Sequence, residues 1–435
     1  MKKRLISFLL AMSMLAGMMS PAIYAEETIS QERPEATAET ALPIEPTLES
    51  PEETKPIDEL EDTADAEEPV REYIDNVSQF TYTVDDDGNA TVTGCNNVTN
   101  PLVIPSEING HPVVAIERLG TYDLVSVIIP DSVTTINAGA FGYSGNLTSV
   151  KMPAHLKTLG ARAFFNCTSL KEITIPASLS EVYGYGGIGD GPFINCENLK
   201  TVHFESGMTK IPAGLFSECS GITEIDIPDT VTKIEFMAFW GATNLTSVTI
   251  PNSVMEIQSN VFEGCNKLSE VALPSNLKVL GSDSFALCES LTKIKIPESI
   301  VDGGYQAFYK CINLKDVTLE NGLTRIPSGI FMGTGITEIE IPDTVVEIED
   351  SAFRYSNLTS VAIPNGITTI KYCTFGGCPQ LKEVKIPDSV TEIENYAFSD
   401  CSVLTSITLP KNLKKLGGHV FENCTALTEI NIPND

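Results

Sequence analysis

The stretch LTSVTIPNSVMEIQSNVFEGCNK, residues 245–267, decides the fold. Val248 and Ile250 alternate with polar residues, which predicts a β-strand with one buried face. Pro251 follows directly. Because proline has no N–H group to donate and a fixed φ, it ends the strand and starts a turn. The first part of the stretch is therefore predicted to be a short strand that stops at a proline.

The rest of the stretch supplies further inward-facing side chains. Val254 and Ile257 are predicted to line the interior along the segment after the turn. The sequence SNVFEGC, residues 259–265, is predicted to form a short helical turn that places Phe262 in the core. A single coil of this kind cannot bury its apolar side chains alone, so it needs a similar coil as its neighbour.

The pattern recurs along most of the chain. A proline after an apolar residue marks each unit, and most steps are 23 residues long. The marking prolines are Pro105, Pro130, Pro153, Pro176, Pro228, Pro251, Pro274, Pro297, Pro342, Pro364, Pro387, Pro410 and Pro433. In two further units Glu205 and Glu320 stand in place of the proline. A repeat of this length predicts a solenoid. The core phenylalanine recurs thirteen times, from Phe141 to Phe421, and these rings are predicted to stack.

The units resemble the BspA-type leucine-rich repeats of bacterial cell-surface and secreted proteins. The resemblance covers residues 80–435 and includes GCNNVTNPLVIPSEINGHPVVAI, residues 94–116, which is similar to the family's usual first coil. It implies a leucine-rich-repeat solenoid, a β-rich fold with a parallel β ladder, short helical turns and coils of about 23 residues. It also implies a surface or secreted binding protein, sometimes an adhesin. The general leucine-rich pattern has asparagine or cysteine after its strand; this chain has proline there, so ligand-binding rules of that pattern are not carried over.

The chain is strongly acidic. Its 28 basic and 58 acidic residues give a formal net charge of -30. Such a surface repels nucleic acid and anionic membranes, so neither is expected as a partner. Residues 26–72 hold 17 acidic and 3 basic residues, which is almost half of the excess charge.

The segments before the repeats differ in composition. Residues 1–25 have a basic start and a 15-residue apolar run, which predicts a signal peptide cleaved after Ala25, with an uncleaved anchor as the alternative. No stable membrane span is predicted, because this run is short for one. Residues 26–72 have six prolines and few large apolar side chains, so we expect a disordered acidic linker. Residues 73–104 are predicted to form an N-terminal β cap and the first coil, and residues 105–435 the repeats.

The cap is predicted from FTYTVDDDGNATVTG, residues 80–94. It alternates on both sides of an Asp-Gly turn, which indicates a β-hairpin. The sequence DDDGN also invites comparison with a calcium-binding loop. Thr83 and Gly94 occupy the two outer ligand positions of that pattern, which argues against calcium.

The stretch EVYGYGGIGDGPFINC, residues 181–196, matches the dinucleotide-binding pattern G-x-G-x-x-G at Gly184, Gly186 and Gly189. That pattern requires a helix that opens at its third glycine, inside a βαβ unit. Here Gly189 is followed instead by the core Phe193 of a repeat.

The glycines lie in an insertion. The interval from the marking proline to the core phenylalanine is six residues longer here than in neighbouring units. We expect a flexible bulge between coils. A recognition loop with Tyr183 and Tyr185 at its base is the alternative, because loops on rigid scaffolds often carry recognition.

The cysteines follow the repeat. Nine of the eleven lie three residues after a core phenylalanine: Cys167, Cys196, Cys219, Cys265, Cys288, Cys311, Cys378, Cys401 and Cys424. Other units place Ser144, Ala242, Thr334 and Ser356 there. The position therefore favours a small buried side chain, and parallel side-chain directions are poor geometry for a disulfide. We expect free, buried thiols.

No constellation of catalytic residues emerges from the sequence. The four histidines lie far apart, and the common hydrolase, zinc-protease and phosphate-loop motifs do not occur. We expect no enzyme activity, no cofactor and no metal site.

Aromatic residues near the core phenylalanines give the best surface signal. The candidate partner-binding residues are Phe236, Trp240, Tyr305, Tyr309, Tyr372, Tyr396, Tyr183 and Tyr185. Local packing over the turn is the alternative interpretation. An aromatic face is typical of a partner-binding surface, because tryptophan and tyrosine dominate interface energetics.

The sequence thus predicts an exported, non-enzymatic binding protein that recognises a protein or glycan on a host or bacterial surface. The alternatives are a passive spacer of the cell envelope and an enzyme that uses the loop at 183–191. The final strand, with Leu427, Ile430 and Ile432, is expected to present an open apolar edge. Such an edge invites pairing with another chain. Either the natural chain is longer or a partner covers this end, and end-to-end association with a second copy is expected.

Overall fold

The computed structural model describes residues 77–184 and 190–432. The predicted signal peptide at 1–25 and linker at 26–72 lie outside the described residues. Residues 185–189 of the glycine-rich insertion, Tyr185 among them, also lie outside. The described chain winds into a parallel β-solenoid of about 15 coils of roughly 23 residues.

The predicted hairpin is present at the N-terminal end. A 3-10 turn at Val77–Gln79 leads into β1 (Phe80–Val84), which pairs antiparallel with β2 (Ala90–Cys95). At the turn, the Asp85 carboxylate accepts hydrogen bonds from the backbone N–H groups of Asp87 (3.1 Å) and Asn89 (2.7 Å). The bonds from Asn89 lower the pKa of Asp85. This carboxylate therefore closes the hairpin turn.

Every coil except the one before Pro342 contributes a strand ahead of the proline turn, as predicted. These strands pair in parallel and form the first ladder. Its strands are β3 (Leu102–Val103), β6 (Ser126–Ile128), β8 (Ser149–Lys151), β10 (Glu172–Ile175), β12 (Thr201–Phe204), β14 (Glu224–Asp226), β16 (Ser247–Thr249), β18 (Glu270–Val271), β20 (Lys293–Ile296), β22 (Asp316–Leu319), β25 (Ser360–Ala362), β27 (Glu383–Lys385), β29 (Ser406–Thr408) and β31 (Glu429–Asn431). In β16, Val248 is buried while Ser247 and Thr249 are exposed, which is the predicted alternation.

A second ladder follows the proline turn, where the sequence predicts only inward-facing residues. Its strands are β2, β5 (His111–Ile116), β7 (Thr135–Ile136), β9 (Thr158–Gly160), β11 (Glu181–Tyr183), β13 (Lys210–Ile211), β15 (Lys233–Ile234), β17 (Glu256–Ile257), β19 (Val279–Leu280), β21 (Asp302–Gly303), β23 (Arg325–Ile326), β24 (Glu347–Ile348), β26 (Thr369–Ile370), β28 (Glu392–Ile393) and β30 (Lys415–Leu416). A short β4 (Glu107–Ile108) pairs antiparallel with β5. The hairpin joins this ladder, because β2 pairs in parallel with β5.

Pairing in the first ladder is interrupted at several places. It holds within the groups β3-β6-β8, β10-β12, β14-β16-β18, β20-β22, β25-β27 and β29-β31. Between β22 and β25, residues 335–341 form no strand. This coil is shortened by one residue: Ile336 lies two residues after Thr334, whereas Leu314 lies three after Cys311.

The third side of each coil is the turn segment around the core phenylalanine. Its backbone is also bonded from coil to coil: Phe239 N–H donates to the Val261 carbonyl (3.0 Å), and Phe262 N–H to the Ser284 carbonyl (2.8 Å). Two backbone positions have positive φ in every turn but that of Phe193, such as Asn260 (59°) and Gly264 (73°) in the quoted coil. The predicted helical turn is therefore a series of tight turns. We call its outward side the turn face.

The predicted column of phenylalanine rings is confirmed. All twelve successive pairs from Phe141 to Phe421 are stacked, with centroids 5.1–6.0 Å apart and ring planes within 20° of parallel. Offset stacking at this distance adds to the free energy of burial. The column therefore forms the centre of the core.

The cysteines line this column and make a specific contact. The Cys265 thiol donates to the carbonyl of Phe239 (3.3 Å), and the Cys288 thiol to that of Phe262 (3.2 Å). Each thiol thus bonds to the core phenylalanine of the preceding coil. All eleven cysteines are unbridged and ten are buried. Burial raises the pKa of the Cys311 thiol to about 12, so it stays protonated and able to donate.

Candidate functional site

The structure describes seven of the eight predicted site residues. Tyr183, Tyr305 and Phe236 are exposed, at 57%, 48% and 39%. The other four, Trp240, Tyr309, Tyr372 and Tyr396, are half-buried. The eighth, Tyr185, lies outside the described residues. Six of the seven occupy the turn face, where outward positions in most other coils are small or polar.

Tyr183 lies apart from the others. It ends strand β11 in the second ladder, and Gly184 after it has a φ of 74°. The chain resumes at Asp190 and enters a turn segment that carries the core Phe193. A strand does precede the glycine-rich stretch, but a turn segment rather than a helix follows it in the described chain.

Four aromatic side chains flank a short acidic region of the turn face. Phe236 and Trp240 belong to one coil, and Tyr305 and Tyr309 to the coil three steps further on. The Trp240 indole N–H donates to the Glu263 carboxylate in the next coil (3.1 Å). Trp240 therefore leans towards the second pair.

The coil before the second pair forms the floor between these aromatics. It presents Asp283, half-buried, and Ala286, which is fully buried. Tyr305 leans in the same direction along the solenoid and so away from Trp240, because a Cβ on Gly329 in the following coil would meet its ring at 2.9 Å. We call this arrangement the acidic gap: Asp283 and Ala286 at the floor, Trp240 with Glu263 on one side, and Tyr305 with Tyr309 on the other.

The two carboxylates of the acidic gap are held by their surroundings. Asn260 Nδ2 donates to the same Glu263 oxygen that Trp240 contacts (2.6 Å). Asp283 has a φ of 53°, and its backbone N–H donates to the Tyr305 carbonyl (3.0 Å). Desolvation, and then the neighbouring charge of Glu263, raise the pKa of Asp283 to about 6. The gap therefore holds a carboxylate whose negative charge is unfavourable as the protein stands.

A second group of aromatic residues lies further along the turn face. The Tyr372 and Tyr396 rings meet edge to face, 5.9 Å apart. Tyr396 then stacks on His419 at 4.9 Å with the ring planes 4° apart. We call Tyr372, Tyr396 and His419 the aromatic strip. His419 was missed from the sequence, although it occupies the same turn position as Tyr396 and alignment of the coils could have found it.

Another aromatic residue missed from the sequence is Tyr355. It is 49% exposed, and the Arg354 guanidinium lies 4.6 Å from the centroid of its ring. Its ring lies over Gly377, where any Cβ would meet it at 2.2 Å. Tyr355 extends the aromatic surface of the turn face near the strip.

The outward face of the first ladder offers shallow depressions and no aromatic anchor between its strand residues. Three depressions coincide with interruptions of the ladder: about 590 Å³ between β22 and β25, about 340 Å³ between β18 and β20, and about 330 Å³ between β12 and β14. The sequence did not predict them, because it does not reveal where neighbouring strands fail to pair.

Within residues 77–184 and 190–432, no three histidine, cysteine or acidic side chains are grouped so that they could hold a metal ion. In the same residues no helix has the length and apolar character needed to cross a membrane.

Comparison with known families decides where the chain belongs. A model of the BspA type leucine-rich repeat region matches residues 119–246, 234–359 and 346–435, with six copies. The chain belongs to the BspA-type leucine-rich repeat family. The turn face and the two ladders are therefore features of a BspA-type solenoid.

Solved structures include similar leucine-rich proteins. A leucine-rich repeat protein from Bacteroides ovatus is 26% identical, with a TM-score of 0.63 over 82% of this chain and 98% of that chain. A leucine rich cell surface protein from Faecalibacterium prausnitzii is 25% identical, with a TM-score of 0.43 over 82% of this chain and 94% of that chain. No curated protein matches the chain.

Proposed function

We propose that the chain is an exported protein that binds another macromolecule, a protein or a glycan on a host or bacterial surface, through its turn face. The observation that carries this proposal is the acidic gap with its two aromatic pairs. Tryptophan and tyrosine contribute strongly to interfaces, and here they are outward-facing where most other coils carry small or polar residues.

The architecture supports a macromolecular partner. Solenoids present long open surfaces, and those surfaces are what such proteins commonly use for binding. The depressions on the first ladder are shallow openings between strands, whereas small-molecule sites enclose most of their ligand. An adhesion or recognition role fits a surface of this kind.

Capture by matched variants tests the proposal. The full chain, immobilised, would be exposed to host-cell and bacterial surface extracts. We expect a specific partner to be retained by the parent and by a Tyr122→Ala, Tyr143→Ala control, which removes two aromatics that are 68% and 67% exposed elsewhere. The immobilised Trp240→Ala, Tyr309→Ala variant should no longer retain this partner.

The same experiment separates the alternatives. A passive spacer would retain nothing specific, or would retain the same proteins with and without the two aromatics. An enzyme using the loop at 183–191 would depend on that loop and not on Trp240 and Tyr309. Either result would remove the acidic gap as the binding surface.

Export and self-association complete the proposal. Mass spectrometry of the exported protein should find a mature chain that starts at Glu26, which would exclude the uncleaved anchor.

The last described strand, β31, pairs with β29 on one side. Ile430 in this strand and Ile432 just after it are 44% and 73% exposed. We propose that two copies associate through this strand.

A further inference from the structure

One interface between neighbouring coils is paired less completely than the others. It separates the coil that contains β24 from the coil that contains β25 and β26. Within residues 77–184 and 190–432, it is the one place where neither ladder is paired from coil to coil. The largest of the three depressions, about 590 Å³, opens over it on the first ladder. We call this interface the joint.

Glycine marks the interruptions of the second ladder. In several coils a hydroxyl two residues after the marking proline donates to the preceding coil, as Ser389 does to the Ile367 carbonyl (2.8 Å). Glycine has no hydroxyl and cannot make this bond. In the described part of the chain, the second ladder is interrupted at the three coils that have glycine at this position: Gly207, Gly322 and Gly366.

The first ladder compensates at two of these three places. Beside the first two glycines it is paired over four residues, between β10 and β12 and between β20 and β22. Beside Gly366 it is not, because residues 335–341 form no strand. One backbone bond remains there, from the Thr359 N–H to the Thr337 carbonyl (2.9 Å). The joint therefore lacks paired strands on both of its ladder sides.

The turn face stays connected across the joint. The N–H groups of Ser351, Phe353 and Tyr355 donate to carbonyls of the next coil at 2.9, 3.0 and 2.9 Å. Phe353 also stacks on Phe375, with the ring centroids 5.6 Å apart. A rotation about this side would open the two ladder sides while the turn bonds are kept. The turn face is therefore the axis about which the joint can bend.

A group of ion pairs spans the joint on the second ladder. Lys371, after the joint, contacts the carboxylates of Glu347 (2.7 Å) and Glu349 (3.0 Å), which lie before it. Arg325 in the preceding coil contacts Glu349 as well (2.8 Å). Salt weakens ion pairs of this kind by screening, and here no pairing of strands supports the same contact. We call Lys371 with the two glutamates the latch.

We propose that the solenoid bends at the joint about its turn face, and that the latch holds the joint closed. The acidic gap lies before the joint and the aromatic strip after it. Bending therefore changes the angle between these two surfaces, as in a hinge between rigid parts. The inference goes beyond the proposed function and does not depend on it, because the joint bends whether or not either surface binds a partner.

Two matched pairs of spin labels measure the bending. Glu224, Glu270, Glu338 and Glu383 are exposed and occupy the same first-ladder position in their coils. The pair Glu270→Cys, Glu383→Cys crosses the joint, and the pair Glu224→Cys, Glu338→Cys does not. Each pair spans five coil steps, or about 24 Å.

The labels are introduced into the full chain with Cys95→Ser, because Cys95 is the one cysteine that is not buried. Pulsed electron spin resonance gives the distance distribution of each pair. At low ionic strength both distributions should be narrow. Lys371→Gln, or high salt on the parent chain, should broaden the distribution across the joint and lengthen its mean by about 2 Å or more, as expected for a rotation of about 10°.

A matched control removes an ion pair from a fully paired interface. Lys233 contacts Glu256 (3.1 Å) between two coils whose first and second ladders are both paired. Lys233→Gln should therefore change neither distance. Thermal melts show whether each variant is folded, and high salt on the parent chain gives the same test if Lys371→Gln does not fold.

Three results would overturn the inference. A distance across the joint that stays the same in Lys371→Gln and in high salt would show that the interface is rigid. Equal changes in the two label pairs would show that the whole solenoid loosens and not the joint. A distribution across the joint that is already broad in the parent at low ionic strength would show that the latch does not hold it closed.

Discussion

The inward and outward sides of the same turn segments differ sharply in sequence. Inward, the thirteen successive coils from Phe141 to Phe421 each carry a core phenylalanine, and all twelve successive pairs are stacked. Outward, the position after the core phenylalanine ranges from glycine at Gly142 to tryptophan at Trp240. A coil must match its neighbours inside because each buries the apolar surface of the next. The outward positions of the turns are not constrained by packing between coils, so large aromatic residues at those positions can serve a function.

The acidic gap shows this freedom together with its energetic cost. Asp283 combines a positive φ of 53°, partial burial and a neighbouring carboxylate. The positive φ belongs to the fold, since the same position in other coils also has it, as at Gln306 (59°) and Tyr396 (60°). The acidic side chain does not, since other coils place glycine or asparagine there. Unfavourable local arrangements of this kind are common at binding sites. The comparison therefore predicts opposite consequences for mutations on the two sides.

The largest effect should come from the inward side. Phe262→Ala removes a fully buried ring stacked at 5.3 Å on Phe239 and 5.1 Å on Phe285. We expect a loss of about 3–5 kcal/mol in the free energy of unfolding, measured by urea denaturation. Phe236→Ala, on the outward side of the preceding coil, should cost far less. Equal losses would remove the distinction between the two sides.

A smaller effect is expected at the cysteine that lines the column. Cys288→Ser keeps a small side chain that can donate to the Phe262 carbonyl, whereas Cys288→Val removes the donor and overfills the site. The valine variant should lose about 1–3 kcal/mol and the serine variant less. Thiol labelling of the unreduced, denatured protein should also find most cysteines free. Protection of the column cysteines in pairs would contradict this account of the position.

A gain in stability is expected on the outward side. The pKa of Asp283 is raised from 3.8 to about 6, so the folded state keeps a proton that the unfolded state releases as the pH rises between these values. Stability is therefore lost through this window and stays reduced above it. Asp283→Asn should raise the free energy of unfolding at pH 7 by less than about 1 kcal/mol after solvent screening, seen as a higher melting temperature, and the gain should vanish near pH 4. Asparagine also tolerates the positive φ. A gain that does not depend on pH would show that Glu263 and burial are not its cause.

The smallest effect concerns association of copies. Asn431→Lys with Ile432→Lys adds charge next to β31 and should shift the protein towards monomer in sedimentation experiments at high concentration. A parent protein that is already monomeric there would exclude association through this strand.

The sequence was sufficient for the features that every coil repeats. The period, the first-ladder strands and the phenylalanine column follow from residues such as Val248, Pro251 and Phe262, because the same spacing recurs in coil after coil. The second ladder was missed because strands of two residues, such as Glu256–Ile257, are too short to show alternation.

The side-chain contacts between neighbouring coils could not be predicted from the sequence, for a different reason. The acidic gap depends on Trp240 leaning towards Glu263 and on Tyr305 leaning over Gly329, and these directions are set by the backbone of adjacent turns. The sequence identified the aromatic residues but not the carboxylates between them. Asp283 becomes notable only when its burial and its distance from other charges are known.

One measurement on one variant tests the central claim most directly. Trp240→Ala with Tyr309→Ala changes two outward side chains and leaves the phenylalanine column intact. Its melting temperature and its retention of the captured partner would be measured side by side with those of the parent. The account predicts a nearly unchanged melting temperature and loss of the partner. A large drop in melting temperature with full retention of the partner would contradict it, because these aromatics would then serve packing and not recognition.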